Sequence, residues 1–247
     1  MSTEGLHEQA AGNLRQHLAE NAYPGRGLIL GRTDANSWMI VYWIMGRSEH
    51  SRNRRLAWES GQLRTEAADP SKVQDPSLII YRALCPVPQG WVVSNGSQTE
   101  TLVSGLKERQ SFEEALLSER HEPDAPNYTP RISGLLDLKH PQVRFRFSLI
   151  RKLGWEDQPE HRSFAFPELP PGLGLGLTTY DHDGSPLPSF SRNPLLFPLE
   201  KNPREVARQY WEALDTENRI ALAAVSVEAG KPPDLTLLNR FEASENA

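Results

Sequence analysis

Two apolar runs near the start of the chain, "RGLILGR" at 26–32 and "WMIVYWIMG" at 38–46, constrain the fold more than any other feature. Both have strand-forming composition, and the turn residues Asp34, Ala35 and Asn36 stand between them, so they predict a β-hairpin. Further strands are expected at 77–84 ("SLIIYRAL") and 90–95 ("GWVVSN"). Helical patterns follow at 99–108 and 111–121, the second opened by Ser111 as cap with Glu114 three residues on. Strands return at 131–138 and 143–153. In the latter, Val143, Phe145, Phe147 and Leu149 alternate with Arg144, Arg146 and Ser148, which predicts one buried face.

Residues 156–200 are rich in Pro and Gly and read as long ordered loops around one strand at 175–180. The "GLGLGL" run at 172–177 follows "PELPP" rather than a strand and opens no helix, so its glycines read as loop and strand-edge material rather than a dinucleotide loop. At 202–214 a helix is marked by Asn202 as cap, Pro203 in the first position and Glu205 in the third. The runs at 219–229 and 234–241 form a final hairpin. Strands grouped this way, with helices between the groups, indicate an α+β domain with two sheets between helix layers, not a doubly wound parallel sheet.

Leu6, Ala10, Leu14 and Leu18 recur at helical spacing, so residues 1–22 are expected to be a helical extension and 23–247 a single domain. The extension also offers a surface for a possible homo-oligomer. The N-terminus lacks the pattern of a secretory signal, no run approaches a membrane span, and Cys85 is the only cysteine. These features suit a soluble protein of a reducing, cytoplasmic compartment, with Cys85 as a core residue.

The formal net charge of −5 argues against a general nucleic-acid binder. Against that balance, "GRSEHSRNRRLAWESG" gathers Arg47, Arg52, Arg54 and Arg55 within nine positions. They form either a solvated strand and turn or a seat for an anion, since a guanidinium donates in a fixed fork and stays charged. On this extended segment Arg52 and Arg54 share one face and Asn53 and Arg55 the other, so at most half the cluster can converge on one pocket. In "SNGS", Asn95-Gly96 permits a positive-φ turn, and Ser94, Asn95 and Ser97 offer donors beside a helix start. The turn suits a phosphate or carbonyl oxygen, or is ordinary punctuation with Ser97 as cap. Asn127 and Arg131 of "NYTPRI" either line a site or lock their loop.

These stretches occur in a telling order. "GRG" at the first strand, "GRS....NR", an Asp-Pro followed by a tyrosine-bearing strand, "VVSNGS.T" and "E.D..N.TPRI.G" resemble the archaeal-type inosine monophosphate (IMP) cyclohydrolases from about Tyr23 to Gly134. Weaker matches continue through "TTY" at 178–180 and "NPREVA". The resemblance implies a four-layer αββα sandwich like that of the N-terminal-nucleophile hydrolases. It also implies dehydrative closure of 5-formamidoimidazole-4-carboxamide ribotide (FAICAR) to IMP in purine biosynthesis.

The same resemblance implies catalytic roles for Arg54, Tyr81 and Glu122. Substrate contacts are then expected from Arg47, Asn53, Ser94, Asn95, Gly96, Ser97, Asn127 and Arg131. Ser2 is separated from the first strand by the helical extension and is not expected to be a nucleophile. Asp181, His182 and Asp183 are successive and point apart, so neither a metal nor another cofactor is expected. Two other readings stay open: a non-catalytic nucleotide-binding or regulatory relative, and an enzyme acting on another phosphorylated ribotide.

Overall fold

The computed structural model describes residues 2–35, 37–73, 80–199, 202–228 and 230–241. The protein is α+β, with two antiparallel sheets and few helices. Strands are numbered in chain order. One sheet contains β1 (Gly27–Arg32), β2 (Trp38–Met45), β10 (Leu173–Thr178), β11 (Leu195–Pro198), β12 (Arg219–Val227) and β13 (Asp234–Asn239). Its spatial order is β11-β10-β1-β2-β12-β13. The other runs in sequence order through β3 (Arg55–Glu59), β4 (Gln62–Glu66), β5 (Arg82–Val87), β6 (Gly90–Ser94), β7 (Arg131–Asp137), β8 (Phe145–Lys152) and β9 (Pro159–Phe166).

The opening hairpin forms as expected, with Gly27 opposite Trp43 and Arg32 opposite Trp38. Its near-continuous apolar character has a simple cause, because both faces of β1 and β2 are covered. Leu28, Leu30, Ile40, Tyr42 and Ile44 share one core with Val93, Ile132, Phe145 and Phe147 of the second sheet. On the opposite face, Ile29, Val41 and Trp43 meet Val206, Ala207 and Tyr210 of α5 (Pro203–Ala213). That helix is capped by Asn202 with Pro203 in its first turn, as its sequence predicts. A third cluster joins Val92, Leu135 and Ile150 to Leu102 and Leu106 of α3 (Gln98–Lys107) and to Phe112 of α4 (Phe112–Ala115).

Several expectations need correction. The helix at 111–121 is a single turn, α4: its Ser111–Glu114 capping box forms, but Phe112 and Leu116 are pinned in the third cluster and the chain then turns away. Among its described residues the segment at 156–200 holds three strands, not one. "GLGLGL" supplies β10, inside the sheet between β1 and β11 rather than at an edge. A Cβ on Gly174 or Gly176 would stand 2.7 Å from the Ile29 side chain, so only bare backbone fits there. Strand β8 buries Ser148 and Ile150 as well as the predicted face, because α3 and α4 cover its other side. Residues 77–79 of the strand expected at 77–84 lie outside the described residues, and β5 begins only at Arg82.

The N-terminal helix is present as α1 (Thr3–Leu14), capped by Ser2 and continued by a wider π-helical turn at Arg15–Ala19. It is seated on the first sheet: Asn13 donates to the Leu196 carbonyl at 2.9 Å, and Leu18 is fully buried beside Trp43. Cys85 is a buried core residue, and burial pushes its thiol up to about 11. No helix among the described residues is long and apolar enough to cross a membrane.

Glycines give a direct test of this packing. A Cβ on Gly27 would lie 1.9 Å from the Trp43 ring, whereas one on Gly12 in α1 meets nothing within 4 Å. Gly27→Ala is therefore expected to destabilise by about 1–3 kcal/mol through overpacking. Gly12→Ala is expected to stabilise by about 0.5–1 kcal/mol through helix propensity. Denaturant melts that gave both substitutions the same sign would contradict this packing.

Candidate active site

Four chain segments meet at one end of the first sheet: residues 23–26 leading into β1, 45–54 leaving β2, 122–129 leading into β7 and 179–187 leaving β10. They enclose a cleft of about 330 Å³. Three guanidinium groups, Arg26, Arg47 and Arg54, line it against two carboxylates, Glu122 and Asp124.

Arg26 is a deeply embedded charge. One Nη donates to the Asn95 carbonyl at 2.7 Å and the other to Glu122 Oε2 at 2.8 Å, with only 7% of Arg26 and 5% of Glu122 exposed. Burial opposes the charge on Arg26. Attraction to Glu122, then to Tyr81 and Tyr42, outweighs it and holds the guanidinium pKa well above its ordinary value. The Glu122 backbone is fixed by its N–H bond to the Thr129 carbonyl at 2.9 Å. Its Oε1 is not used by the Arg26 pair.

Arg54 is also buried, but its bonds go to carbonyls: Nε to Ser51 at 2.8 Å and Nη2 to Met45 at 3.0 Å. Among the described residues no carboxylate lies within ion-pair distance of it. Bonds to carbonyls satisfy two of its donors without pairing its charge, so the guanidinium can still receive an anion. Arg47 stands at the more open rim, paired with Asp183 and stacked over Tyr23 at 4.8 Å. Tyr23 in turn stacks on Tyr180, with ring centroids 5.9 Å apart. Burial raises the Tyr23 phenol pKa, and Arg54, Arg26 and Arg47 all pull against that rise, so the three arginines act on one place.

The structure sorts the residues expected from the sequence. Arg54, Glu122, Arg47 and Asn127 line the cleft, Asn127 also accepting from the Leu187 N–H at 3.0 Å. Tyr81 does not line it. Its hydroxyl meets Tyr42 Oη at 2.6 Å, and both phenols act electrostatically on Arg26. Asn53 is a correction: residues 49–52 form a helical turn, α2 (Glu49–Arg52), so the face alternation of an extended segment does not apply. Asn53 ends that turn and exchanges bonds with the Asp69 backbone, Nδ2 donating at 2.8 Å and Oδ1 accepting at 2.7 Å.

The "SNGS" turn is a second correction, since it stands behind the cleft wall and Gly96 does not adopt positive φ. Ser94 is fully buried against Thr99, and Asn95 ties Pro130, Gln98 and Ile132 together. Ser97 precedes α3 without a side-chain cap bond. Gly96 brings backbone close to Glu122, as a Cβ there would stand 3.4 Å from Glu122 Oε1. Arg131 locks the loop, donating to the Arg120 carbonyl at 2.7 Å and to Gln98 Oε1 at 2.7 Å. Asn95 thus reaches the site only through Arg26.

Arg26, Asp124, Thr129, Thr179 and Tyr180 also line the cleft and were not singled out from the sequence. Arg26 lies in "GRG" and Thr179 and Tyr180 in "TTY", stretches that belong to the motif resemblance, so a signal was present without a role attached. Among the described residues no group of three or more His, Cys, Asp or Glu is disposed to hold a metal ion.

Residues 23–231 match the family model described as IMP cyclohydrolase-like protein. The chain belongs to the IMP cyclohydrolase-like family. The match begins at Tyr23, the first residue to reach the cleft. One relative of this family member is the IMP cyclohydrolase of Methanopyrus kandleri, 29% identical over 119 residues. The aligned region is 47% of this chain and 59% of that relative, so the chain spans less than two thirds of the curated protein it matches.

Proposed function

We propose that this protein closes the ring of FAICAR to give IMP and water, a step of purine biosynthesis, with the cleft as its active site. The observation that carries the reading is Arg54, a buried guanidinium with no carboxylate partner among the described residues, beside the Arg26–Glu122 pair in a cleft the size of a small ligand. Family membership and the Methanopyrus kandleri relative supply the reaction class.

Closure requires the carboxamide nitrogen to attack the formyl carbon while charge gathers on the formyl oxygen. In this mechanism Arg47, at the open rim, takes the ribotide phosphate, and Arg54 donates to the formyl oxygen as it becomes an alkoxide. Glu122 Oε1 accepts one carboxamide N–H and orients the nitrogen, while Arg26 holds the other carboxylate oxygen. That N–H remains in the product. Asn127 contributes a polar contact at the rim, and Tyr81 is a positioning residue acting through Tyr42 and Arg26.

The proposal extends to the architecture. Helices α1 and α5 on one sheet and α3 and α4 on the other support a four-layer αββα sandwich of the N-terminal-nucleophile-hydrolase kind, with residues 1–22 as an extension of the 23–247 domain. The partner is a phosphorylated purine precursor, not nucleic acid or membrane, and the compartment is the cytoplasm. A homo-oligomer remains part of this reading.

Mixing purified protein with FAICAR tests it. Hypoxanthine-type ultraviolet absorbance is expected to appear without added metal or nucleotide cofactor. Binding without turnover would favour a non-catalytic nucleotide-binding relative, and neither binding nor turnover would favour another ribotide as substrate.

Tyr81→Phe separates positioning from contact. It leaves the buried Tyr42 hydroxyl without its partner, which costs about 1–3 kcal/mol of stability. Turnover is expected to fall about tenfold, equivalent to about 1.4 kcal/mol, with KM within twofold. Full turnover in the folded variant would remove Tyr81 from the mechanism.

A further inference from the structure

We propose that Tyr180, Thr129 and Asp124 form a proton relay that takes the second carboxamide proton during ring closure and returns it to the former formyl oxygen, giving the carbinol. This inference rests on the cyclohydrolase reading above and adds the proton acceptor that reading lacks. In that reading Glu122 Oε2 holds Arg26 and Oε1 holds the N–H that stays in the product, so neither oxygen is left for the second proton.

All three residues line the cleft. Thr129 Oγ1 donates to Asp124 Oδ2, and Tyr180 Oη lies 2.5 Å from the same Thr129 oxygen. The direction of the chain follows from counting hydrogens. A carboxylate only accepts, so the single hydroxyl hydrogen of Thr129 is committed to Asp124, and Tyr180 must be the donor to Thr129. The lone pairs left on Tyr180 Oη therefore make it an acceptor towards any cleft ligand. An acceptor at that position suits an amide N–H.

The surroundings hold this arrangement in place. Asp124 Oδ1 accepts the Thr129 backbone N–H at 2.6 Å, and the Tyr180 carbonyl accepts from Thr178 Oγ1 at 2.9 Å. Thr129 and Tyr180 are 3% and 5% exposed, so bulk water does not compete for the central link. Burial raises the Tyr180 phenol pKa well above its ordinary range, which keeps it neutral at rest. It conducts a proton by passing its own on as it receives another, without persisting as phenolate.

The protons balance. As the nitrogen lone pair forms the bond to the formyl carbon, the carboxamide proton goes to Tyr180 Oη, the Tyr180 proton to Thr129 Oγ1 and the Thr129 proton to Asp124. The formyl C=O pair moves onto oxygen, held by Arg54. In the reverse sense, Asp124 returns its proton through the relay to that oxygen, giving the carbinol. Loss of hydroxide from the carbinol carbon, with loss of the former formamido N–H proton to it, releases water and leaves the ring C=N bond. No oxidant, reductant or co-reactant is required.

Thr129 acts through its neighbours, so the decisive comparison is Thr129→Val against Thr129→Ser, with FAICAR as the probe. Thr129→Val keeps the shape but breaks the relay, and its single-turnover rate is expected to fall at least thirtyfold with KM within twofold of wild type. Thr129→Ser restores the hydroxyl and is expected to return the rate to within threefold. Tyr180→Phe should match Thr129→Val. A Thr129→Val rate within threefold of wild type, a Thr129→Ser enzyme as slow as Thr129→Val, or a loss expressed only in KM would overturn the relay.

If Thr129→Val does not fold, the wild-type single-turnover rate in mixtures of light and heavy water gives the answer. A curved dependence is expected from several protons moving together, and a flat one overturns the proposal. Wild-type protein that binds FAICAR without turnover removes the cyclohydrolase reading and the relay together. An active wild type with an unaffected Thr129→Val removes the relay alone.

Discussion

Glu122→Ala is expected to destabilise the protein by about 3–5 kcal/mol, the usual effect of leaving a buried charge without its partner. Arg26 is 7% exposed, and its two outer bonds go to Glu122 Oε2 and the Asn95 carbonyl. After truncation only the carbonyl remains, and the guanidinium cannot escape by losing its proton. For a chain of this size each kcal/mol lowers Tm by about 2–4 °C, so a fall of about 6–20 °C is expected. The double substitution Arg26→Met, Glu122→Leu removes both charges and should recover most of that stability while abolishing activity. A double-mutant cycle followed by thermal and denaturant melts checks both statements. A Glu122→Ala loss below about 1 kcal/mol would mean that water reaches Arg26 and that the pair is not desolvated.

Arg54→Lys is expected to lower kcat by about 10²–10³-fold, the range for losing one donor aimed at a developing oxyanion. Charge is conserved, so electrostatic attraction alone predicts a small effect. Geometry predicts a large one. Arg54 is anchored by Nε on Ser51 and Nη2 on Met45, which leaves the remaining edge of a rigid fork for the substrate. An ammonium cannot hold two carbonyls in those directions and still present a fixed donor to the cleft. Steady-state kinetics on a variant with unchanged circular dichroism decides the point. Turnover within fivefold of wild type would reduce Arg54 to a source of positive charge.

Much of the scaffold is determined locally and was legible in the sequence. Alternation in Phe145, Phe147 and Leu149 marks the inner face of β8, the Ser111–Glu114 box marks the start of α4, and Asn202-Pro203 marks the start of α5. Each depends on neighbours within a few residues, where strand period and capping chemistry act directly. Where such reading went astray, distant packing had intervened. "GLGLGL" has loop composition, yet it is an interior strand because the Ile29 side chain of β1 fills the space its absent side chains leave.

The cleft divides in the same way. The sequence by itself determined that an acidic chain concentrates arginines after its second strand, and the motif order picked out Arg54, Arg47, Glu122 and Asn127, all of which line the cleft. It could not distinguish Arg54 from Asn53, since that depends on one helical turn at 49–52. Nor could it pair Arg26 with Glu122 across 96 positions, or set Tyr180 beside Thr129 across 51. Those partners are chosen by the antiparallel order of β1, β2 and β10, which brings the start of β1 and the ends of β2 and β10 to one end of their sheet. Packing against the second sheet brings the loop before β7 to the same place. Hydrogen-bond direction and desolvation act over about 3 Å, and only the tertiary structure decides which groups come that close.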